Sequence, residues 1–368
     1  MPVPLFQHQL ESINRFRNIP QGLDLSDAGT GKSRVQIELF AERRAAGGRS
    51  ALIIAPKSLL ETAWVDDIRK FAAHLTVSVA YAANRVQAFN CLVDVYITNT
   101  DATSWLAKQP ASFFARFDTL IIDEISSFKH HTTQRSKALL KIVKHFPYRY
   151  GLTGTPMTNG VLDIWHQVRV IDDGVRLGTK FFAFRPTVTL PVQTGPATQM
   201  VKWVDKPGAD AAIAIAIADI SVRYKLEDCH SLPLNHVFSI AYTLTPIQRA
   251  AYDQMTKHAI LQIQNGNTVN AVNAAVLITK LLQIASGTVY DESTNVIDIE
   301  GSRYQLVCDL VAARNHSMVF YNWKHQADCL EALFNKHQIT YCRLDGSVEG
   351  HTRAQIIREF QSGYYRVC

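Results

Sequence analysis

Three short stretches carry residue types and spacings suited to phosphate chemistry. The first is LDLSDAGTGKSR, residues 23–34. An apolar strand feeds a turn containing Gly29, Thr30 and Gly31, and a helix starts at Lys32 and Ser33. Glycine lets the backbone curl so that successive N–H groups point at one anion, with no Cβ in the way. Lys32 can then reach the β- and γ-phosphates of a nucleotide, and Ser33 can hold Mg²⁺. The helix N-terminus adds partial positive charge. Ser26 stands where the full G-x-x-x-x-G-K-[ST] pattern has its first glycine, so only the shorter G-x-G-K-[ST] form is met. A Gly-rich turn at a helix start is the plainer alternative; the strand before it and the helix after it favour a phosphate loop.

The second stretch is TLIIDEISSF, in which a run of buried β-formers ends on Asp123 and Glu124. In a parallel sheet both acids fall at the C-terminal edge, where the phosphate loop also lies. Asp123 is then placed for the Mg²⁺ shell and Glu124 for polarising an attacking water. Taken alone, two acids at a strand end are commonly just solvated charges. The third stretch, YGLTGTPMTN, runs a strand into a turn at Thr153, Gly154 and Thr155, whose short hydroxyl side chains could sense a γ-phosphate or couple it to a neighbouring lobe. By itself it reads as a turn. The order of the three, each at the end of a predicted buried strand, points to a nucleoside triphosphatase.

The elements that must position these residues are legible as alternating patterns. ALIIAP (51–56), VDVYIT (93–98), TLIIDE (119–124) and YRYGLTGT (148–155) are apolar runs without polar alternation, as in strands buried on both faces. Helical stretches such as SRVQIELFAERRAAGG lie between them, giving a doubly wound α/β layout. The pattern predicts an N-terminal lobe over residues 1–171. Residues 172–235, rich in Pro, Gly and Thr at first and then in Ala and Ile, read as an irregular, partly helical insertion. HVFSIAYTL (236–244) predicts a strand opening a second lobe over 236–368, with helices from about 246 to 285 and a strand at SMVFY, 317–321.

Composition narrows the class only loosely. The chain has 368 residues, 47% apolar and 19% charged, enough for two globular domains. The longest apolar run, AAIAIAIADI, is too short to span a bilayer, and MPVPLFQHQ lacks the form of a secretory signal. Six scattered cysteines without a C-x-x-C pair suggest a reducing cytoplasm and no structural metal. A formal charge of +6 fits a polyanion-binding protein without requiring one.

Taken together, these motifs resemble the superfamily-two helicases, and within them the Swi/Snf-like branch of double-strand DNA translocases. LFQHQLESINRF is similar to that family's glutamine motif, with Gln9 placed to read adenine. SDAGTGKS resembles motif I, IIAPKSLLETAWVDDIRKF motif Ia with its following Trp64, and YITNTDA motif Ib. IIDEISSFKHH resembles motif II with its trailing Lys129, and YGLTGTPMTNGVLDIW is close to motif III. YKLEDCHSLPLNHVFSIAYTL looks like the entry to the second lobe, MVFYNWKHQADCLEALF like motif IV, and RLDGSVEGHTRAQIIREFQSG like the segment after it. The compact insertion and the DEISSFK variant are most similar to the short Swi/Snf-type proteins carried by bacteriophages. The resemblance implies two RecA-like P-loop NTPase lobes with parallel sheets, ATP and Mg²⁺ between them, and duplex DNA across both. The chain is expected to be a monomer in the cytoplasm, the host's if the protein is viral. Lys57, Asn99 and Thr100 would contribute phosphate contacts from lobe one, and Asn322, Trp323 or Lys324 from lobe two. Lys57 also reads as a solvated loop lysine, and Trp64 and Trp323 as core.

Two departures stand out. The family's Asp-Glu-Ala-His is here Asp123-Glu124-Ile125-Ser126, so the histidine that often links to motif III is a shorter serine. Motifs V and VI, the latter a source of transition-state arginines, have no counterpart, so the second lobe is expected to be incomplete. The alternatives are therefore an ATP- and DNA-binding module with little turnover, or an RNA helicase of the same superfamily.

Overall fold

The computed structural model describes residues 4–196, 200–231, 235–258, 260–262, 268–270, 273–300, 303–348 and 350–368. It divides into two compact units, residues 1–234 and 235–368.

The first unit is built on a seven-stranded, wholly parallel sheet. Its strands are β1 (Gln21–Asp24), β2 (Ser50–Ala55), β3 (Val77–Ala80), β4 (Val95–Asn99), β5 (Phe117–Asp123), β6 (Tyr148–Leu152) and the short β9 (Ser221–Val222). They lie in the order β3-β4-β2-β5-β6-β1-β9. The apolar runs explain why both faces are covered. Because side chains alternate along a strand, Leu52, Ile54, Leu120 and Ile122 enter one core cluster. Ala51, Ile53, Ala55 and Ile121 enter the other. Helix α1 (Gln7–Arg17) packs on α2 (Lys32–Ala45), Ile13 and Phe16 entering the same cluster as Val35 and Phe40.

Residues 172–231 are more ordered than their composition predicts. Strands β7 (Thr189–Gln193) and β8 (Val201–Asp205) form an antiparallel hairpin, and the Ala/Ile stretch forms helix Ala209–Ala216. β9 then adds to the main sheet beside β1.

In the second unit, residues 236–244 form no strand. Val237 and Phe238 are exposed, and no strand among the described residues pairs with this stretch, so its β-pattern lacks the partner that a ladder needs. The helical span expected from 246 to 285 is two helices, Pro246–His258 and Ala274–Ala285, between which Ile260–Gln262 pairs with Thr268–Asn270. Further on, Ser317 and Tyr341 each bridge in parallel to Val367, so the closing segment runs between two others. Helices Arg303–Ala312 and Lys324–Lys336 bury Tyr304, Cys308, Leu330 and Phe334 in a common cluster with Val367. Among the described residues no helix is long and apolar enough to cross a membrane.

Candidate active site at the carboxyl edge of the first sheet

Parallel strands send every βα loop to one edge, and the crevice outside that edge is where ligands bind in open α/β sheets. Here the loop after β1, the Thr153 turn after β6 and the acids at the tip of β5 follow in adjacent positions across the sheet. Two strand spacings, about 10 Å, span from β1 to β5.

The loop expected to bind phosphate takes its shape from glycine. Gly29 and Gly31 have φ of 85° and 81°, in the left-handed region that side chains disfavour, and Gly31 caps α2. Lys32 Nζ donates to Ser26 O at 2.7 Å and Asp27 O at 2.8 Å, which holds the ammonium within the curl of the loop and leaves one N–H for an anion. Ser33 follows in the first turn of α2, half-buried.

Gln9 and its neighbour brace this loop from α1. Gln9 Nε2 donates to Thr30 O at 3.2 Å while Gln9 Oε1 accepts from Phe6 N–H at 3.0 Å. His8 Nε2 donates to the same Thr30 carbonyl at 2.8 Å, an anchor that sequence reading missed. The carboxamide therefore already has a backbone partner at each end, and reading adenine would require it to exchange at least one.

At the tip of β5 the two acids differ. Asp123 is buried, its Oδ1 accepting Glu124 N–H at 3.0 Å and its Oδ2 accepting Trp64 Nε1–H at 2.9 Å. Burial pushes its carboxyl above the usual range; the Trp64 bond opposes this, and the Glu124 charge adds to it. Among the described residues it makes no ion pair. A buried carboxylate without a counter-ion, one residue before another acid, is a donor set suited to a divalent cation. Glu124 adopts φ 47° and ψ 54°, a left-handed conformation costing a non-glycine residue about 1–3 kcal/mol. Its Oε2 accepts from Thr153 Oγ1 at 3.1 Å, and Ser126 Oγ lies 3.5 Å from the same oxygen. The serine that replaces the family's histidine thus turns to Glu124, and the link from motif II to the Thr153 turn is made by Glu124 itself.

That turn abuts the phosphate loop. Thr153 N–H donates to Asp24 O at 3.0 Å, and a Cβ on Gly154 would sit 3.2 Å from Ala28 N, so the close approach needs glycine. Thr155 N–H donates to Thr153 Oγ1 at 3.2 Å. The segments that follow β5 and β6 are also tied to each other, Lys129 Nζ pairing with Asp163 Oδ2 at 3.0 Å. Asp24, buried at the end of β1 with its carboxyl raised by burial, accepts Ser26 N–H at 3.1 Å.

Residues 221–230, read from the sequence as insertion and as the entry to the second lobe, belong to the first unit and run along the other flank of the loop. Tyr224 N–H donates to Ser26 Oγ at 3.0 Å, Asp27 N–H to Tyr224 O at 2.9 Å, and Leu226 N–H to Asp27 Oδ2 at 3.1 Å. The Ser26 that breaks the glycine pattern thus serves as an acceptor.

The nucleic-acid candidates are less connected. Lys57 is exposed just beyond β2; Asn99 ends β4 and Thr100 opens the helical turn after it, and Asn99 bonds Arg85 at 3.4 Å and Asp101 at 3.2 Å. All three share the edge that carries the acids without touching them. In the second unit, Asn322 and Lys324 are exposed and Trp323 is half-buried before helix Lys324–Lys336, where Gln326 Oε1 accepts the N–H of Asn322 at 2.8 Å and of Trp323 at 3.3 Å.

Comparison with known proteins bears on this arrangement. The SNF2-related domain family matches residues 15–286, and the helicase conserved C-terminal domain family matches residues 302–368. Protein p41 of Acyrthosiphon pisum secondary endosymbiont phage 1 is 28% identical over 90% of this chain and 74% of its own length. An uncharacterised ATP-dependent helicase of Mycoplasma genitalium is 24% identical over 85% of this chain, which spans only 29% of that protein. The Sulfolobus solfataricus SWI2/SNF2 ATPase core, solved in complex with dsDNA, shares the two-lobed RecA-like fold. Its TM-score is 0.52 at 19% identity, covering 100% of this chain and 78% of that one.

Proposed function

We propose, from the premise that the chain belongs to the SNF2-related family, that it hydrolyses ATP and couples hydrolysis to movement along double-stranded DNA. The observation that carries this reading is the Thr153–Glu124 bond, which ties the water-polarising acid to the turn beside the phosphate loop. In this reading the loop N–H groups and Lys32 bind the phosphates, and Gln9 contacts adenine. Ser33 and Asp123 would hold Mg²⁺, which would supply charge neutralisation at the phosphates. Glu124 orients the attacking water and accepts its proton. Occupation of the loop is relayed through Thr153, Gly154 and Thr155.

Duplex DNA as the track is supported by the Sulfolobus solfataricus core having been solved in complex with dsDNA. Lys57, Asn99 and Thr100, and in the second unit Asn322, Trp323 and Lys324, are the candidates for backbone contacts; such contacts carry no sequence information. The domain division proposed is a nucleotide-binding lobe over residues 1–171, a connecting insertion over 172–235 and a second lobe over 236–368. ATP turnover with and without duplex DNA tests the reading, with single- and double-stranded RNA as further arms. Stimulation by duplex DNA above either RNA supports a DNA motor. Stimulation by RNA alone supports an RNA helicase, and a flat rate with nucleotide still bound supports a binding module.

A further inference from the structure

We propose that Trp64 is a positioning residue: its indole N–H sets the orientation in which the Asp123 carboxylate meets a divalent cation. The inference rests on Asp123 being the metal ligand in the function proposed above.

Trp64 lies in the helical turn Leu60–Val65 after β2 and is fully buried. Packing accounts for its ring, which lies in the core cluster of Leu60, Val65 and Ile68. It does not account for the direction of the one polar atom. Nε1 donates to Asp123 Oδ2 at 2.9 Å across 59 residues of sequence. From the opposite oxygen, Oδ1 accepts Glu124 N–H at 3.0 Å. Each carboxylate oxygen thus has one neutral donor and keeps acceptor capacity for a cation. Two donors on two oxygens fix the plane of the group, so its remaining lone pairs point in one direction before any cation arrives.

The chemistry of indole suits this task. It donates but cannot accept, and it carries no charge. A lysine or arginine in its place would hold the carboxylate equally well and compete electrostatically with the metal. Outer partners of this kind typically account for 10–100-fold in metal affinity. The bland alternative is a core tryptophan whose N–H has found the nearest acceptor; on that account its removal lowers stability and leaves metal binding unchanged.

Trp64→Phe keeps an aromatic ring and removes the donor. Mg²⁺ is titrated into the full chain with a fluorescent adenine nucleotide, for parent and variant. In the ¹⁵N-labelled parent, the Trp64 indole N–H resonance is followed through the same titration. The expected result is nucleotide binding in EDTA unchanged by the substitution, with the Mg²⁺ half-saturation point raised about 10–100-fold. The indole resonance shifts when Mg²⁺ joins the nucleotide-bound parent. An unchanged half-saturation point, or a resonance indifferent to Mg²⁺, overturns the proposal while leaving Asp123 as a ligand. A parent whose nucleotide binding ignores Mg²⁺ altogether overturns the metal site and the proposal together. If Trp64→Phe fails to fold, 3-benzothienylalanine at position 64, which replaces the indole N–H with sulfur at nearly the same shape, is titrated in its place with the same two outcomes.

Discussion

Thr153 Oγ1 donates to Glu124 Oε2 at 3.1 Å, joining the turn after β6 to the acid at the tip of β5. Glu124 is held in a left-handed backbone conformation at this point. The bond orients the carboxylate that, in the function proposed above, polarises the attacking water. Thr153→Val, which keeps the shape and removes the hydroxyl, is expected to lower ATP turnover about 10-fold or more. A hydrogen bond to a charged group contributes about 1.5–3 kcal/mol. Nucleotide affinity should change little. Steady-state hydrolysis alongside equilibrium nucleotide binding checks both halves.

The Lys129–Asp163 pair is the second tie between the same segments, at 3.0 Å with both side chains largely buried. Asp163 Oδ2 also accepts Asn159 N–H at 3.0 Å, so its charge is needed in place. Removing the lysine leaves a poorly solvated carboxylate. Lys129→Met should destabilise the first unit by about 3 kcal/mol, close to the 3–5 kcal/mol seen for fully buried pairs. Urea unfolding measures this, and a double-mutant cycle with Asp163→Asn should recover part of the loss.

His166, buried in helix Ile164–Asp172, is held down to about pH 4 by burial, with Arg169 and His131 adding positive charge nearby. Its folded pKa lies below the unfolded value near 6.5, so between the two the unfolded chain binds the extra proton. Its contribution is complete above pH 6.5, declines as the pH falls, and is lost near pH 4. That decline amounts to about 3 kcal/mol at 1.36 kcal/mol per unit. Unfolding measured from pH 7 to pH 4 should show a shallower acid limb in His166→Leu than in the parent.

Residues 221–230 are bonded along the phosphate loop through Ser26 and Asp27. Ser26→Ala removes the acceptor for Tyr224 N–H, and a net hydrogen bond of about 0.5–1.5 kcal/mol corresponds to a 2–10-fold change. Amide exchange at Tyr224 should quicken by that factor, while exchange in β5 stays as it was. Asp27→Asn should do the same at Leu226 through loss of charge on its acceptor.

How much of this was legible in the sequence follows from what kind of information each feature carries. The runs at 51–55 and 119–122 announce doubly buried strands because burial is a property of the residues themselves. The glycine turn between β1 and α2 and the acids at the tip of β5 were legible for the same reason: each is a local pattern at a strand end. The hairpin of β7 and β8 was not, because Pro191 and the surrounding Gly and Pro residues read as breaks. Proline is tolerated there because the hairpin is only two strands and each has an edge. The stretch 236–244 erred the other way, its alternation promising a strand for which the described residues supply no partner. Contacts between distant segments were invisible in principle. Trp64 meets Asp123 across 59 residues and Tyr224 meets Ser26 across 198, and no local pattern encodes either.

The most direct test is ATP hydrolysis by Glu124→Gln beside the parent, in the presence of duplex DNA and Mg²⁺. The substitution keeps side-chain size and an oxygen for Thr153 while removing the proposed general base. Such a base contributes about 10²–10⁴-fold to rate. The proposed role of Glu124 entails DNA-stimulated hydrolysis in the parent and loss of at least about 100-fold in the variant, with nucleotide binding retained. Hydrolysis by Glu124→Gln at the parent's rate would contradict it.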